Sequence, residues 1–124
     1  MATVVHLMPV DQWRALSDHE AIVSPSLATE GFIHCTDEAD VLLKVANAFY
    51  SDATGEFVVV YVDTDRLTST CVWEAPAHIS GSGPAFATQF PHVYGPIDRT
   101  AVIRVQTVVR SPDGRFVGYG SAVE

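Results

Sequence analysis

Apolar runs of strand length, separated by shorter stretches of helical spacing, set the pattern of this chain. Val4-Val5-His6-Leu7 is a short β-rich run ended by Pro9. In Val10 to Leu16, Trp13 and Leu16 stand three apart, on one face of a short helix. Ser17 to Glu30 follows, fourteen residues with no clear period, holding the turn-forming Ser24-Pro25-Ser26. It reads as a long loop, and loops of that length in small domains tend to be functional or mobile. Gly31-Phe32-Ile33-His34-Cys35 reads as a second strand opened by a glycine. Thr36 or Asp37 is placed to cap the next helix, with Asp37, Glu38 and Asp40 favourably set on its dipole. That helix runs to about Tyr50. Val41, Val45 and Phe49 recur every four residues beside Leu42 and Ala46, so it is amphipathic.

The second half is richer in strands. Phe57 to Val62 is a continuous apolar run, the best candidate for a central strand covered on both faces. Asp63 to Leu67 is a turn or one helical turn, and Thr70 to Glu74 another strand. Pro76 to Phe90 reads as a second long loop containing Gly81-Ser82-Gly83-Pro84. Phe90 to Pro96 is a short strand framed by prolines, and Ala101 to Val109 alternates as an antiparallel strand should. Ser111-Pro112-Asp113-Gly114 is a hairpin turn, and Arg115 to Tyr119 returns. Helices early and strands late predict an α+β fold with mostly antiparallel, curved sheets, built as one domain over residues 1–124.

Composition narrows the functions. Hydrophobic residues make up 48% of the chain, which suits a folded domain. The net charge is -8, with seven Lys and Arg in all. A nucleic-acid face or a polybasic membrane patch needs a concentration of cations that this chain lacks. No stretch has the roughly 20 apolar residues that a helical span requires. The given sequence shows no export signal and its two cysteines, Cys35 and Cys71, form no CxxC pair, so a cytoplasmic location with reduced thiols is expected.

Five histidines mark the candidate chemistry. His19 and His78 fall in loops. His6, His34 and His92 fall inside apolar β-rich segments, where a buried imidazole must find hydrogen bonds. Any one alone reads as a satisfied core histidine; the three together point to a site. A three-histidine zinc shell is one reading, yet none of the pairs has short ligand spacing and there is no HExxH, so no metal is expected. A nucleophilic arrangement would use Cys35 or Ser26 with a histidine and Asp63 or Glu74, but no GxSxG elbow is present. No phosphate-cradling GxxxxGK[ST] or GxGxxG pattern occurs either.

The strings His6-Leu7-Met8-Pro9, Trp13, Ser26-Leu27, Glu30-Gly31-Phe32-Ile33-His34-Cys35-Thr36 and Phe90-Pro91-His92-Val93-Tyr94-Gly95-Pro96, followed by Ala101-Val102, resemble the family known as domain of unknown function 952. Glutathione S-transferase names given to some members find no support in this pattern. The resemblance implies an ADP-ribosyltransferase-like fold, a split pair of small curved sheets with two or three short helices, and NAD or a related nucleotide as substrate. It places His6 at the ribose and carboxamide side and His34 at the nicotinamide pocket. In the similar RNA 2'-phosphotransferase branch the corresponding residues are His6, Trp13, Gly31 and His34.

Enzymes of that fold keep a glutamate on a late strand, where positive charge develops on the sugar. Here Phe90 to Pro96 holds no acid, and Glu30 and Glu74 are the nearest substitutes. The expectation is therefore an ADP-ribosyltransferase-like transferase or NAD hydrolase with altered chemistry, or a non-catalytic module that binds a small molecule or a protein. A metal-dependent hydrolase is the third reading. His34 and His92 are the expected catalytic residues. His6, Ser24, Ser26 and Tyr94 are expected to bind the nucleotide, the serines through phosphate.

Overall fold

The structure, a computed structural model, describes residues 2–50, 52–75 and 89–123. In chain order its elements are β1 (Thr3–Pro9), α1 (Val10–Ala15), α2 (Pro25–Glu30), β2 (Ile33–His34), α3 (Ala39–Phe49), β3 (Phe57–Asp63), β4 (Thr70–Glu74), β5 (Phe90–Tyr94), β6 (Val102–Arg110) and β7 (Phe116–Ala122). Single 3-10 turns occupy Thr64–Arg66 and Arg99–Ala101. The described residues thus form an α+β fold with antiparallel sheets and few short helices.

Four strands make the first sheet, in the order β1-β3-β6-β7, and three make the second, in the order β2-β5-β4. The apolar run expected at the centre of the fold is β3, flanked by β1 and β6, with Val58, Val59, Val60 and Val62 inaccessible to solvent. Its alternate residues feed two cores, which is why the run is apolar throughout. Val58, Val60 and Val62 join Val4, Met8, Trp13, Ile33, Cys35 and Val93 in a core between the two sheets. Phe57 and Val59 join Leu42, Ala46, Val108 and Phe116 in a second core beneath α3.

Among the described residues the sheets touch edge to edge through one pair of backbone bonds. Val5 N–H donates to Thr36 O and Thr36 N–H to Val5 O, both at 2.8 Å. Both β1 and β2 are edge strands, so this pair ties one edge to the other and the strands part on either side of it.

Several local expectations are corrected. The stretch read as a loop from Ser17 to Glu30 contains α2, opened by Ser24 with Pro25 at the first helical position. Gly31 does not open a strand; it closes α2 in the left-handed region at φ 89°, and β2 is only Ile33–His34. The residue at the N-cap of α3 is Glu38, with no side-chain cap, because Thr36 is held in the bridge to β1. In β6 the expected alternation breaks: Val105 and Val108 are both buried, and register shifts absorb the extra residue. The expected loop from Pro76, with its glycines and His78, lies outside the described residues but for its last two positions. No helix among the described residues is long and apolar enough to cross a membrane.

Candidate functional site

The second sheet has two unlike faces. Its inner face sends Ile33, Cys35 and Val93 into the core between the sheets. By the two-residue period of a strand, His34 on β2 and Phe90, His92 and Tyr94 on β5 point the other way, with Glu74 on β4. His34 stands directly opposite His92 in the ladder. The next rung carries a hydrogen bond from Cys35 N–H to Pro91 O at 3.1 Å, so the His34–His92 rung is a non-hydrogen-bonded pair. Such pairs bring side chains close, and the two rings lie 5.6 Å apart, edge to face. Phe32 completes the packing: it stacks on His92 at 4.1 Å and meets His34 edge-on at 4.9 Å.

The same rung turns the backbone carbonyl of His34 away from β5, toward the gap where β1 and β2 have separated. His6, one residue past the bridge at Val5, fills that gap. Its Nδ1–H donates to His34 O at 2.8 Å. A carbonyl only accepts, so the proton sits on Nδ1 and Nε2 keeps its lone pair. The ring is 5% exposed, and burial lowers its pKa, outweighing the upward pull of the hydrogen bond to His34 O. His6 is accordingly a neutral imidazole at neutral pH.

Carboxylates hold the other two rings. His34 Nε2 lies 2.8 Å from Glu30 Oε2, the last residue of α2. His92 Nδ1 lies 2.9 Å from Glu74 Oε1, and the Tyr94 hydroxyl donates to the same oxygen at 2.5 Å. Those two hydrogen bonds, Tyr94 first and His92 second, lower the pKa of Glu74 and keep it an anion. The reciprocal effect raises the pKa of Tyr94. His92 is 2% exposed, whereas His34, expected to be buried, is only half-buried because it faces the open side of β2.

A cavity of about 700 Å³ opens against this face, in the size range of small-molecule sites. His6, His34, His92, Ser24 and Ser26 all line it, as does Glu30. Tyr94 and Glu74 are not among its lining residues; they stand behind His92. Leu42, Val45 and Phe49 of α3 and Phe57 of β3 supply an apolar wall. A smaller cavity of about 380 Å³ adjoins it, sharing Met8, Gln12, Ser24 and Pro25. Phe32, Gln12 and Tyr50 were not read from the sequence as site residues. For Phe32 a signal was present: it stands two residues before His34 and so shares its face.

The other chemistries do not assemble. The Cys35 side chain packs in the core between the sheets, where burial pushes its pKa up. Ser26 Oγ donates to Phe32 O at 2.8 Å rather than to a histidine. Asp63 accepts from Asp65 N–H and pairs with Arg66, at the end of β3. Among the described residues no three His, Cys, Asp or Glu side chains are grouped as a metal site.

No curated protein matches the chain. Protein CC0527 from Caulobacter crescentus, a solved structure, is similar in fold: 20% identical, TM-score 0.69, with 94% of each chain covered. A double-mutant form of that protein matches at 19% identity with the same TM-score and coverage. A family model described as protein of unknown function (DUF952) matches residues 7–105, and the chain belongs to that family.

Proposed function

We propose that the protein takes the nicotinamide–ribose end of NAD, or of a related nucleotide, into the histidine-lined cavity and works there as an ADP-ribosyltransferase-like transferase or NAD hydrolase. The observation that carries this reading is that His6, His34 and His92, brought from three strands and two sheets, all line one cavity of about 700 Å³. Two small antiparallel sheets joined at one edge agree with the split-sheet fold that the family resemblance implies.

In this reading Nε2 of His6 accepts a hydrogen bond from a ribose hydroxyl or the carboxamide. His34 packs against the pyridine ring, and Ser24 and Ser26 meet the sugar or its phosphate. Breaking the glycosidic bond sends its electron pair to the pyridinium nitrogen and leaves positive charge on the sugar carbon. As an acceptor oxygen bonds to that carbon, His92 takes the acceptor's proton on Nε2. Water as acceptor gives hydrolysis. Glu74 is then a positioning residue: it fixes the His92 tautomer and balances the imidazolium, while Tyr94 holds Glu74.

A non-catalytic binding module is the second reading, favoured by Glu74 standing outside the cavity lining, where it does not touch the sugar. Calorimetry with NAD, nicotinamide mononucleotide and ADP-ribose tests both. The proposal expects binding by at least one of them, and no binding at millimolar ligand overturns it. If NAD binds and is not consumed over long incubation, the module reading replaces the enzyme reading.

A further inference from the structure

We infer that, among ligands with a nicotinamide–ribose end, the cavity favours the unphosphorylated, cationic nucleoside over its nucleotide forms. This rests on the reading above, in which the cavity takes a nicotinamide–ribose end, and narrows its substrate class.

The seven cationic side chains of the chain are all employed elsewhere or stand away from the cavity. Arg99 lies over the Trp13 ring at 4.2 Å and donates to Ser17 O. Arg110 covers Phe116 at 4.4 Å and donates to Gly114 O and Gly55 O. Arg66 pairs with Asp63, and Arg104 covers Tyr61. Arg14, Lys44 and Arg115 are exposed and none of them lines the cavity. Residues 76–88 contain no Lys or Arg in their sequence.

Among the described residues nothing else at the site replaces a cation. His6 is neutral because of its burial. His34 and His92 each face a carboxylate, so neither imidazole brings uncompensated positive charge. Ser26 has given its hydrogen to Phe32 O, and Ser24 lies 3.3 Å from Ser26, so the pair has at most one O–H to offer a phosphate. Pro25 supplies no N–H at the start of α2. At the start of α3 Glu38 stands at the N-cap and Asp40 in the first turn, so acids already occupy the positive end of the dipole. Glu30 itself lines the cavity. A phosphate there would lose its hydration and meet a carboxylate, whereas a pyridinium nucleoside would meet carboxylates and aromatic rings.

The test is calorimetry on the intact protein with nicotinamide riboside, nicotinamide mononucleotide and NAD, at low and high salt. The riboside is expected to bind about tenfold or more tightly than either phosphorylated form. Salt should weaken the cationic riboside and strengthen the mononucleotide, because it screens the acidic site. Glu30→Gln should narrow the gap by raising mononucleotide affinity. Mononucleotide or NAD binding as tightly as the riboside overturns this inference and leaves the proposed function standing. Failure of the mononucleotide and NAD to bind at millimolar ligand overturns the proposed function, and failure of the riboside as well overturns this inference with it.

Discussion

Replacing His6 by Asn separates the charge on that ring from its hydrogen bond. The imidazole is 5% exposed and its Nδ1–H holds the carbonyl of His34 at 2.8 Å. The Asn amide nitrogen is the same number of bonds from Cα as Nδ1, so it keeps a donor for that carbonyl and removes the titration. Burial lowers the folded pKa of His6 below its ordinary 6.5. The unfolded chain therefore binds a proton, below pH 6.5, that the folded protein refuses. Stability due to this group is whole above pH 6.5 and is lost as pH falls toward the folded pKa. The loss is at most about 1.4 kcal/mol per pH unit, or about 2 kcal/mol from the ordinary pKa down to about pH 5. Glu74 and Asp113, whose pKa values are lowered from 4.5 and 3.8, make their own contributions at lower pH and leave this window clear. Urea unfolding followed by circular dichroism across the window should show the wild type losing stability faster than His6→Asn. Parallel losses in the two proteins would refute the neutral buried imidazole. His6→Leu is the contrasting variant: it strands a buried carbonyl and should cost about 1–3 kcal/mol at every pH.

Three further outcomes follow from the geometry. Glu74→Gln removes the anion that raises the pKa of Tyr94, so ultraviolet titration should show one tyrosine ionising at lower pH than in the wild type. Phe116→Ala empties a 2%-exposed site that meets Phe57 edge-on at 5.6 Å and lies under Arg110, and should cost about 3–5 kcal/mol in urea unfolding. Gly31→Ala places a side chain at φ 89° with nothing within 4 Å to collide with, so only the backbone strain of about 1–2 kcal/mol should appear, read as a lower urea midpoint.

The strands were legible because a two-residue period, or a run covered on both faces, leaves a mark on few residues. β3 stood out since both its faces are buried, one in each core. A six-residue helix such as α2 is too short to show a period, and Leu27 is its one large apolar residue. What marks it is punctuation, Ser24-Pro25 at one end and Gly31 at the other, and the glycine could equally be read as the start of the next strand. In β6 the pattern was read as regular because a bulge leaves no residue type of its own. At the site, the apolar surroundings of His6 and His92 foretold their burial. The acid missing from Phe90 to Tyr94 could be sought only as a guess, since Glu74 reaches His92 diagonally across a pairing that joins Val72 to His92. Tyr94 shares the face of His92, yet its hydroxyl goes to Glu74 and not to the cavity.

The choice of imidazole at position 6 argues for a ligand on physical grounds of its own. One backbone carbonyl needs one donor, and an Asn, Ser or Thr could provide it. An imidazole brings a second nitrogen, whose sealed burial without a partner would cost stability. Among the described residues no sealed side-chain nitrogen or oxygen is without a partner. His6 makes its one hydrogen bond through Nδ1, so Nε2 is not sealed, and the space this ring borders is the cavity. His92 repeats the arrangement from the other sheet, with Nδ1 held by Glu74 and Nε2 left over. Two rings from two sheets, each fixed through one nitrogen and both lining the same cavity, are more than closing the gap between β1 and β2 requires. That excess over the structural need is what the proposed ligand would use.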